Sequence, residues 1–278
     1  MKKFNKILIL AFVAIVIVAA MPFAVSAETL KVTLRVEGIE ANLFYGTVEY
    51  ESGDKAVTAA DIIDKAAEDN ESLTVVGASA GYITSVNGID GGKYGGWDGW
   101  MYRVNDIEAS VGVNEYEVKN GDVIVLYYSD AFGAGMQYPE LDTSKLSEGV
   151  IKVTSKDTTY DASYNPTVTV NPVVGATLKF DGNTYTTDEK GEVKIDASLL
   201  TAGSHKVAVE KYAENGCPTV LRLAPDAKVR IAAQDQGNDH VKAGDNGVMV
   251  YIIIAAAAFG LLCAVLVSAK KSRKNELD

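Results

Sequence analysis

The sequence contains very little cysteine. Two of its 278 residues are cysteine, and Cys263 lies in a long apolar run near the C-terminus. Cys217 is then the single thiol outside that run, so no disulfide is predicted within the chain. A cross-link to a partner or a nucleophilic role is conceivable for Cys217, but a lone cysteine more often packs as a small buried hydrophobic residue, which is our prediction. Stability must therefore come from ordinary hydrophobic cores.

Residue patterns typical of catalysis and metal binding are also missing. The two histidines, His205 and His240, form no recognisable set with a serine and an acidic residue. The stretch Gly91–Gly96 resembles a phosphate loop in composition, but it precedes a predicted strand and not the start of a helix. Acidic residues in 157–196 lack the spacing of a calcium loop. The sequence predicts a protein that is not an enzyme and requires no cofactor or metal.

Basic residues are in the minority. The chain has 26 lysine and arginine residues against 37 aspartate and glutamate residues, which gives a formal net charge of −11. Several basic residues lie at the two ends, so the stretch between them is more acidic than the whole chain. Because such a surface repels phosphate backbones, nucleic acid is excluded as a predicted partner.

The two ends of the chain predict export and a membrane anchor. Lysines, an apolar run and small residues describe a signal peptide over residues 1–27, with an uncleaved signal anchor as the alternative. Residues 248–269 carry no charge and, as a helix of about 33 Å, match a hydrocarbon core of about 30 Å. The basic tail, 270–278, is expected in the cytoplasm. We predict a single-pass cell-membrane protein with residues 28–247 outside the cell.

Residues 28–130 are predicted to form an α+β domain. Leu30–Val36 alternates apolar and polar residues, as a half-buried strand does. Thr58–Asn70 begins with a capping box and carries an apolar stripe, which predicts one amphipathic helix. Asn87-Gly88 is a strong hairpin-turn signal. Further strands are predicted at Tyr45–Tyr50, Leu73–Val76, Tyr82–Val86, Trp100–Val104 and Val123–Tyr128, so that one helix covers a mainly antiparallel sheet.

The next part of the chain is predicted to be all-β. Residues 131–148 show no period and indicate a linker, and the polar residues 233–247 indicate a stalk above the membrane. Residues 149–232 contain regularly spaced β-rich runs, which indicate a small β-sandwich. These runs are Ile151–Thr154, Thr167–Val170, Thr177–Phe180, Thr184–Thr187, Val193–Ile195, Lys206–Val209 and Val229–Ile231. The predicted fold class is thus an α+β domain, an all-β sandwich and one C-terminal transmembrane helix.

A loop rich in glycine and aromatic residues is the main functional candidate. Six glycines fall between Gly88 and Gly99, and both tryptophans of the chain lie in or beside this stretch. Glycine lets backbone amides approach a ligand, while tryptophan and tyrosine offer flat surfaces with one polar group. The alternative is a hairpin tip beside a core tryptophan, with core packing for at least one of Trp100 and Tyr102. The predicted ligand-binding residues are Tyr82, Tyr94, Gly95, Gly96, Trp97, Trp100, Tyr102 and Asn105.

Three segments together resemble the transcobalamin-like C-terminal domain of bacterial surface proteins. They are Leu30–Val36, Thr58–Asn70 and the run from Tyr82 through the glycine loop to Asp122, within residues 30–128. The resemblance implies a domain that closes over one side of cobalamin through loop backbone and aromatic contacts. However, residues 28–247 offer no counterpart of the helical barrel that holds the other side, and residues 28–130 contain no histidine to ligate cobalt. The resemblance therefore implies at most one half of a corrinoid-binding site.

Two further resemblances concern the rest of the chain. Gly175–Gly182 and Tyr185–Gly191 resemble the immunoglobulin-like or carboxypeptidase-regulatory-like spacers of Gram-positive surface proteins. The C-terminus is similar to a sortase-sorted tail, but residues 240–244 lack the Leu-Pro-x-Thr-Gly signal. This departure implies that the chain stays in the membrane.

The resulting hypothesis is a membrane-anchored extracellular protein that captures cobalamin or a related corrinoid through the glycine and aromatic loop. One alternative is a structural or adhesive surface protein that binds a glycan or another protein. Another is an accessory subunit whose separate helical partner completes the corrinoid site. Cobalamin enters as a ligand in these hypotheses and not as a required cofactor, and the sequence leaves the oligomeric state open.

Overall fold

The structure is a computed structural model that describes residues 29–53, 55–133, 135–161, 165–232 and 250–253. Within these residues the protein is mainly β, with one α-helix packed on a sheet and several sheets in all. The predicted signal peptide, stalk and cytoplasmic tail lie outside the described residues.

A five-stranded sheet is the centre of the N-terminal unit, residues 29–130. In spatial order its strands are β2 (Asn42–Glu51), β1 (Thr29–Glu37), β8 (Val123–Ser129), β6 (Gly99–Val104) and β7 (Ile107–Glu108). The β1–β8 pair is parallel, and the other neighbours are antiparallel. Three short strands, β3 (Val75–Val76), β4 (Ser85–Val86) and β5 (Ile89–Asp90), form a second, antiparallel sheet.

The α-helix α1 (Ala59–Asp69) packs on this unit, as the apolar stripe predicts. Its start is the predicted capping box: Asp61 N donates to Thr58 Oγ1 at 3.3 Å, and Thr58 N donates to Asp61 Oδ2 at 2.7 Å. These bonds satisfy donors that the first helical turn leaves free. Ile62 and Ile63 are fully buried against the sheet, so the predicted helix and its buried face are confirmed.

Strand β1 differs from its predicted half-buried pattern at its C-terminal end. Leu34 and Val36 face the helix-covered core as expected. Arg35 and Glu37 are also buried, although their alternation with the apolar residues predicts solvent. The reason is non-local, because a segment far along the chain covers the second face of the sheet at this end.

The C-terminal unit, residues 135–232, has its own core between two sheets. One sheet contains β9 (Pro139–Asp142), β10 (Val150–Tyr160), β11 (Pro166–Pro172) and β14 (Glu192–Lys194). The other contains β12 (Thr177–Phe180), β13 (Asn183–Thr186), β15 (Gly203–Glu210) and β16 (Lys228–Ile231). Ile151 and Val153 from the first sheet pack in one cluster with Phe180 and Val209 from the second. All seven predicted β-rich runs fall on strands, and β9 is an additional strand within the stretch predicted as a linker.

The predicted transmembrane helix finds no support in the described residues. Val250–Ile253 forms β17, which pairs antiparallel with β16, and is not the start of a helix. The run Val-Tyr-Ile-Ile is β-branched and aromatic, a composition that favours strands. The other residues of 248–269 lie outside the described part of the chain. Within that part, no helix has the length and apolar character needed to cross a membrane.

The segment between β15 and β16 joins the two units. We call residues 211–222 the strap. Cys217 in the strap is buried, which confirms the prediction for this residue. The core that buries it is that of the N-terminal unit, although Cys217 belongs to the C-terminal unit by sequence. Leu221 packs with Val125 and Tyr127 on the second face of the five-stranded sheet. The strap is therefore the segment that buries the end of β1.

Candidate ligand-binding surface

The glycine and aromatic loop begins at a tight turn. Asn87 and Gly88 have φ of 50° and 74°, and Val86 pairs with Ile89 across them. The Asn87 side chain accepts a hydrogen bond from Thr74 N at 2.7 Å. The predicted hairpin turn is thereby confirmed, with Asn87 in a structural role.

Asp98 organises the loop that follows. Its side chain is 3% exposed and accepts hydrogen bonds from Tyr94 N at 2.9 Å and Gly96 N at 3.1 Å. The Tyr128 hydroxyl also donates to this carboxylate. Asp98 is not among the residues predicted from the sequence. The signal that could have identified it is an acidic residue between two tryptophans in a glycine-rich turn, because aspartate often accepts hydrogen bonds from nearby backbone amides.

Hydrogen bonding also determines the charge state of Asp98. Burial by itself would raise the pKa of this carboxyl group. The hydrogen bonds from Tyr128 and from the backbone of Tyr94 and Gly96 act the other way and leave the pKa below its usual value. Asp98 is therefore a buried carboxylate that remains ionised at neutral pH.

The backbone amides of the loop are fully used within the protein. From Gly91 to Gly96, every backbone N–H donates to a protein acceptor, at 2.7 to 3.1 Å. The acceptors include the carbonyl oxygens of Thr84 and Asp98, the Asp98 carboxylate and the Tyr128 hydroxyl. Gly95, with φ of 82°, and Gly96 are exposed, but their amides donate to Gly92 O and Asp98. These amides hold the loop in shape, so contacts to a ligand must come from side chains and carbonyl oxygens.

The two ends of the loop lie side by side. A Cβ added to Gly91 would lie 3.7 Å from Gly99 Cα, and a Cβ added to Gly99 would lie 3.5 Å from the Tyr82 hydroxyl oxygen. These contacts bring Tyr82 close to the start of β6. Tyr82 itself is 64% exposed.

Three exposed aromatic side chains project near this point, and we call them the aromatic surface. Trp97 is 84% exposed and Phe132 is 83% exposed, and Tyr82 is the third member. Gly99 pairs with Ser129, so Trp97 just before β6 and Phe132 just after β8 leave the same end of the sheet. These exposed rings at one end of the sheet are the candidate contact surface of the described residues.

Trp100 and Tyr102 occupy structural positions. Trp100 is 4% exposed, donates its indole N–H to Ile89 O at 2.8 Å and packs edge-on to Tyr128. Tyr102 packs edge-on to Tyr116 and donates its hydroxyl to Val111 O at 2.7 Å. Trp100 belongs to the core of the N-terminal unit and Tyr102 packs against it. Core packing for these residues is the alternative that the sequence left open.

Asn105 and Tyr94 are also engaged within the protein. The Asn105 side chain donates to Asp122 Oδ1 at 2.8 Å and accepts from Val123 N at 2.9 Å. Tyr94 is half-buried, and its hydroxyl donates to Gly216 O of the strap at 3.0 Å. Of the predicted ligand-binding residues, Tyr82, Gly95, Gly96, Trp97 and Asn105 are exposed, and the Asn105 side chain is engaged with Asp122 and Val123.

The aromatic surface lies outside the two best-defined clefts of the described residues. Among the described residues, the two best-defined clefts measure about 110 Å³ and about 10 Å³. The larger lies between β9, β10 and β14, and the smaller lies where the strap meets the five-stranded sheet. Neither is lined by Trp97, Tyr82 or Phe132. The described part of the chain also holds no group of three or more potential metal ligands.

Alkaline pH is expected to destabilise the N-terminal unit. Burial is the main cause that raises the pKa of both Tyr102 and Tyr127 to about 12, against an ordinary value of 10.0. Above the ordinary value the unfolded chain binds fewer protons than the folded chain, so the free energy of unfolding falls as pH rises. Melting temperatures from neutral pH to about pH 11, with tyrosinate absorbance, measure this fall. A constant melting temperature over that range would contradict it.

Parts of this chain are similar to two solved structures. Haptocorrin in complex with Cbi aligns with 40% of this chain and 27% of its own, at 22% identity and a TM-score of 0.31. The chain thus spans about a quarter of haptocorrin's length. A protein described as a "putative metal binding protein from Ruminococcus gnavus ATCC 29149" aligns over 36% of this chain and 96% of its own, at 14% identity and a TM-score of 0.26. Both similarities are weak.

One family model matches the sequence of the N-terminal unit. No curated protein sequence matches the chain significantly. Residues 56–130, which include α1, the glycine and aromatic loop and β8, match the family model described as "Domain of unknown function (DUF4430)". Residues 56–130 are therefore similar to this family, and the match covers about a quarter of the chain.

Proposed function

We propose that this protein is a cell-surface binding protein that captures a ring-bearing ligand on the aromatic surface. One observation carries the proposal: Trp97 is 84% exposed on a loop whose backbone N–H groups from Gly91 to Gly96 are all satisfied internally. The loop is held in shape without a ligand. A large indole side chain on such a loop can stack on a planar molecule with little loss of conformational entropy.

A corrinoid is the ligand class that we propose first. It follows from the resemblance of residues 30–128 to the transcobalamin-like domain, which implies contact with one side of cobalamin by loop and aromatic groups. The open aromatic surface is consistent with such a one-sided contact. In this proposal a second protein covers the other side of the ligand, and no residue of the N-terminal unit ligates cobalt.

A surface glycan or protein partner is the second candidate. Phe132 adds a further exposed apolar side chain outside the loop, and Trp97 lines neither of the two best-defined clefts of the described residues. Sugar rings stack on open tryptophan faces in the same way as other flat ligands. In this version the protein is a structural or adhesive surface protein.

The cellular setting belongs to the proposal. The signal peptide at 1–27 and the apolar run at 248–269 favour export and a membrane anchor, with the C-terminal unit as an immunoglobulin-like β-sandwich support. Carbonate extraction of the membrane fraction and protease protection of intact cells test the anchor and the exposed side. Release of the chain by carbonate, or a protected N-terminal unit, would contradict this arrangement.

Replacing Trp97 should weaken binding. Trp97→Ala is expected to reduce affinity at least tenfold, since aromatic residues at the centre of an interface often contribute about 2 kcal/mol or more. Calorimetry on the purified full-length chain with cyanocobalamin and with cobinamide, together with a glycan array, measures it. Ile107→Ala is the control, because Ile107 is an apolar residue that is also largely exposed, at 72%, and lies at the opposite end of β6.

The outcomes separate the candidates. Heat with a corrinoid that disappears in Trp97→Ala supports the first ligand class, and a glycan signal lost in the same variant supports the second. No binding to either kind of probe by the parent chain, or equal binding by the parent and Trp97→Ala, would overturn the proposed function.

A further inference from the structure

The strap grips the loop that follows β1. Arg222 forms an ion pair with Glu37 at 2.8 Å, and Glu37 is buried. The same guanidinium donates to Gly38 O at 2.6 Å and to Ile39 O at 2.9 Å. One arginine of the C-terminal unit therefore fixes three consecutive residues of the N-terminal unit, through the planar donor geometry that suits arginine to such contacts.

The strap also contacts the glycine and aromatic loop. Gly216, with φ of 89°, accepts a hydrogen bond from the Tyr94 hydroxyl at 3.0 Å. A Cβ added to Gly216 would lie 3.6 Å from the Tyr94 ring, so the two are in close contact. Cys217 is fully buried in the cluster that includes Tyr128, and the nearby Tyr94 ring packs edge-on to Tyr128.

Tyr94 connects the strap to the residue that organises the loop. Its backbone N–H donates to Asp98, its ring packs on Tyr128, and its hydroxyl reaches the strap. Because Tyr128 also donates to Asp98, the strap, Tyr94 and Asp98 form one continuous set of contacts. A shift of the strap must therefore be transmitted to the backbone that holds Trp97.

We propose that the strap is a positioning element that sets the conformation of the glycine and aromatic loop, so that the C-terminal unit controls binding at Trp97. The C-terminal unit is then part of the binding site's support and not a passive spacer. Tyr94 and Arg222 are the positioning residues. The effect on binding rests on the function proposed above, whereas the effect on the loop does not depend on any ligand.

Two variants of the full-length chain test this. Tyr94→Phe keeps the ring and removes the hydroxyl that reaches Gly216. Arg222→Gln removes the guanidinium that holds residues 37–39, while Glu37 keeps Arg35 at 3.6 Å and Asn42 at 3.1 Å as partners. Tyr185→Phe is the matched control, because it removes a hydroxyl bonded to Asp196 in the C-terminal unit, away from the strap.

Hydrogen exchange measured by mass spectrometry reads the loop without a ligand. The amides of Gly92 to Gly96 are all bonded, so peptides over residues 91–99 should be protected in the parent chain. We expect exchange there to be about tenfold faster in Arg222→Gln and a few-fold faster in Tyr94→Phe. In both variants, exchange over residues 177–186 of the C-terminal unit should match the parent. In the control Tyr185→Phe, exchange should match the parent everywhere except in β13, the strand that contains Tyr185.

Each outcome decides the inference. Faster exchange confined to the loop and the neighbouring residues 38–41 supports it. Unchanged exchange at 91–99 in Tyr94→Phe and in Arg222→Gln would overturn it, and so would an equal increase in both units, which marks general destabilisation. Titration with cyanocobalamin is run on the same samples: no binding by the parent refutes the corrinoid ligand, while the exchange result still decides the role of the strap.

Discussion

Trp100→Ala is expected to destabilise the N-terminal unit by about 3–5 kcal/mol, the range for removing a large buried aromatic side chain. Trp100 is 4% exposed, packs edge-on to Tyr128 with ring centroids 5.5 Å apart, and donates its indole N–H to Ile89 O. Truncation would leave a cavity in the core, and the Ile89 carbonyl oxygen would lose the indole N–H that donates to it. Urea unfolding followed by circular dichroism measures the loss.

Trp97→Ala is the matched comparison. The same substitution three residues earlier removes a side chain that is 84% exposed, and surface changes of this kind usually alter stability by less than about 0.5 kcal/mol. The pair thus separates a tryptophan that holds the fold from one available to a ligand. Similar losses of stability in the two variants would refute this assignment.

Asp98→Ala is expected to destabilise the N-terminal unit by about 2–4 kcal/mol, because buried donors left without an acceptor cost about 1–3 kcal/mol each. Tyr94 N, Gly96 N and the Tyr128 hydroxyl all lose their acceptor. The loop should also lose its fixed shape, so we expect the proposed ligand binding at Trp97 to be lost together with stability. Melting curves and hydrogen exchange over residues 91–99 measure both effects.

Asp90→Ala is the control for this prediction. Asp90 is an exposed acidic residue at the other end of the loop, and its side-chain truncation should leave stability within about 0.5 kcal/mol of the parent. An Asp98→Ala chain as stable as Asp90→Ala would show that the carboxylate does not organise the loop.

The acid limb of the stability curve offers an independent check on Asp98. Its pKa lies below the usual value in the folded chain, so the unfolded chain takes up the proton first as pH falls. The stabilisation is complete above the unfolded pKa and is lost as pH falls through the folded pKa. Asp98→Asn should lack this part of the acid dependence, whereas superimposable acid limbs would contradict the role given to the charge.

Local signals in the sequence were sufficient for the elements whose causes are local. Thr58 and Asp61 begin α1 as a capping box, and Asn87-Gly88 forms the hairpin turn, because each motif satisfies its own backbone groups. The alternation of apolar residues located β1 and most strands of the C-terminal unit. Burial of Cys217 was also predicted, although not the core that receives it.

The roles of the two tryptophans were decided by tertiary structure. Trp97 and Trp100 lie in the same glycine-rich stretch, and composition does not distinguish them. The pairing of β6 with β8 sets Trp100 opposite Tyr128 and into the core, while Trp97 stays before the strand and in solvent. Strand register is a non-local property, and a single sequence does not specify it.

The sequence by itself determined the mainly β architecture with one helix, the location of the turn and the loop that carries Trp97. Tertiary structure alone decided that the Asp98 carboxylate is buried against Tyr128 and that Arg222 and Cys217 complete a unit far from them in sequence. The physical reason is that these contacts join residues separated by long stretches of chain. No local pattern encodes such pairs, because each partner looks like an ordinary surface residue until the fold brings the two together.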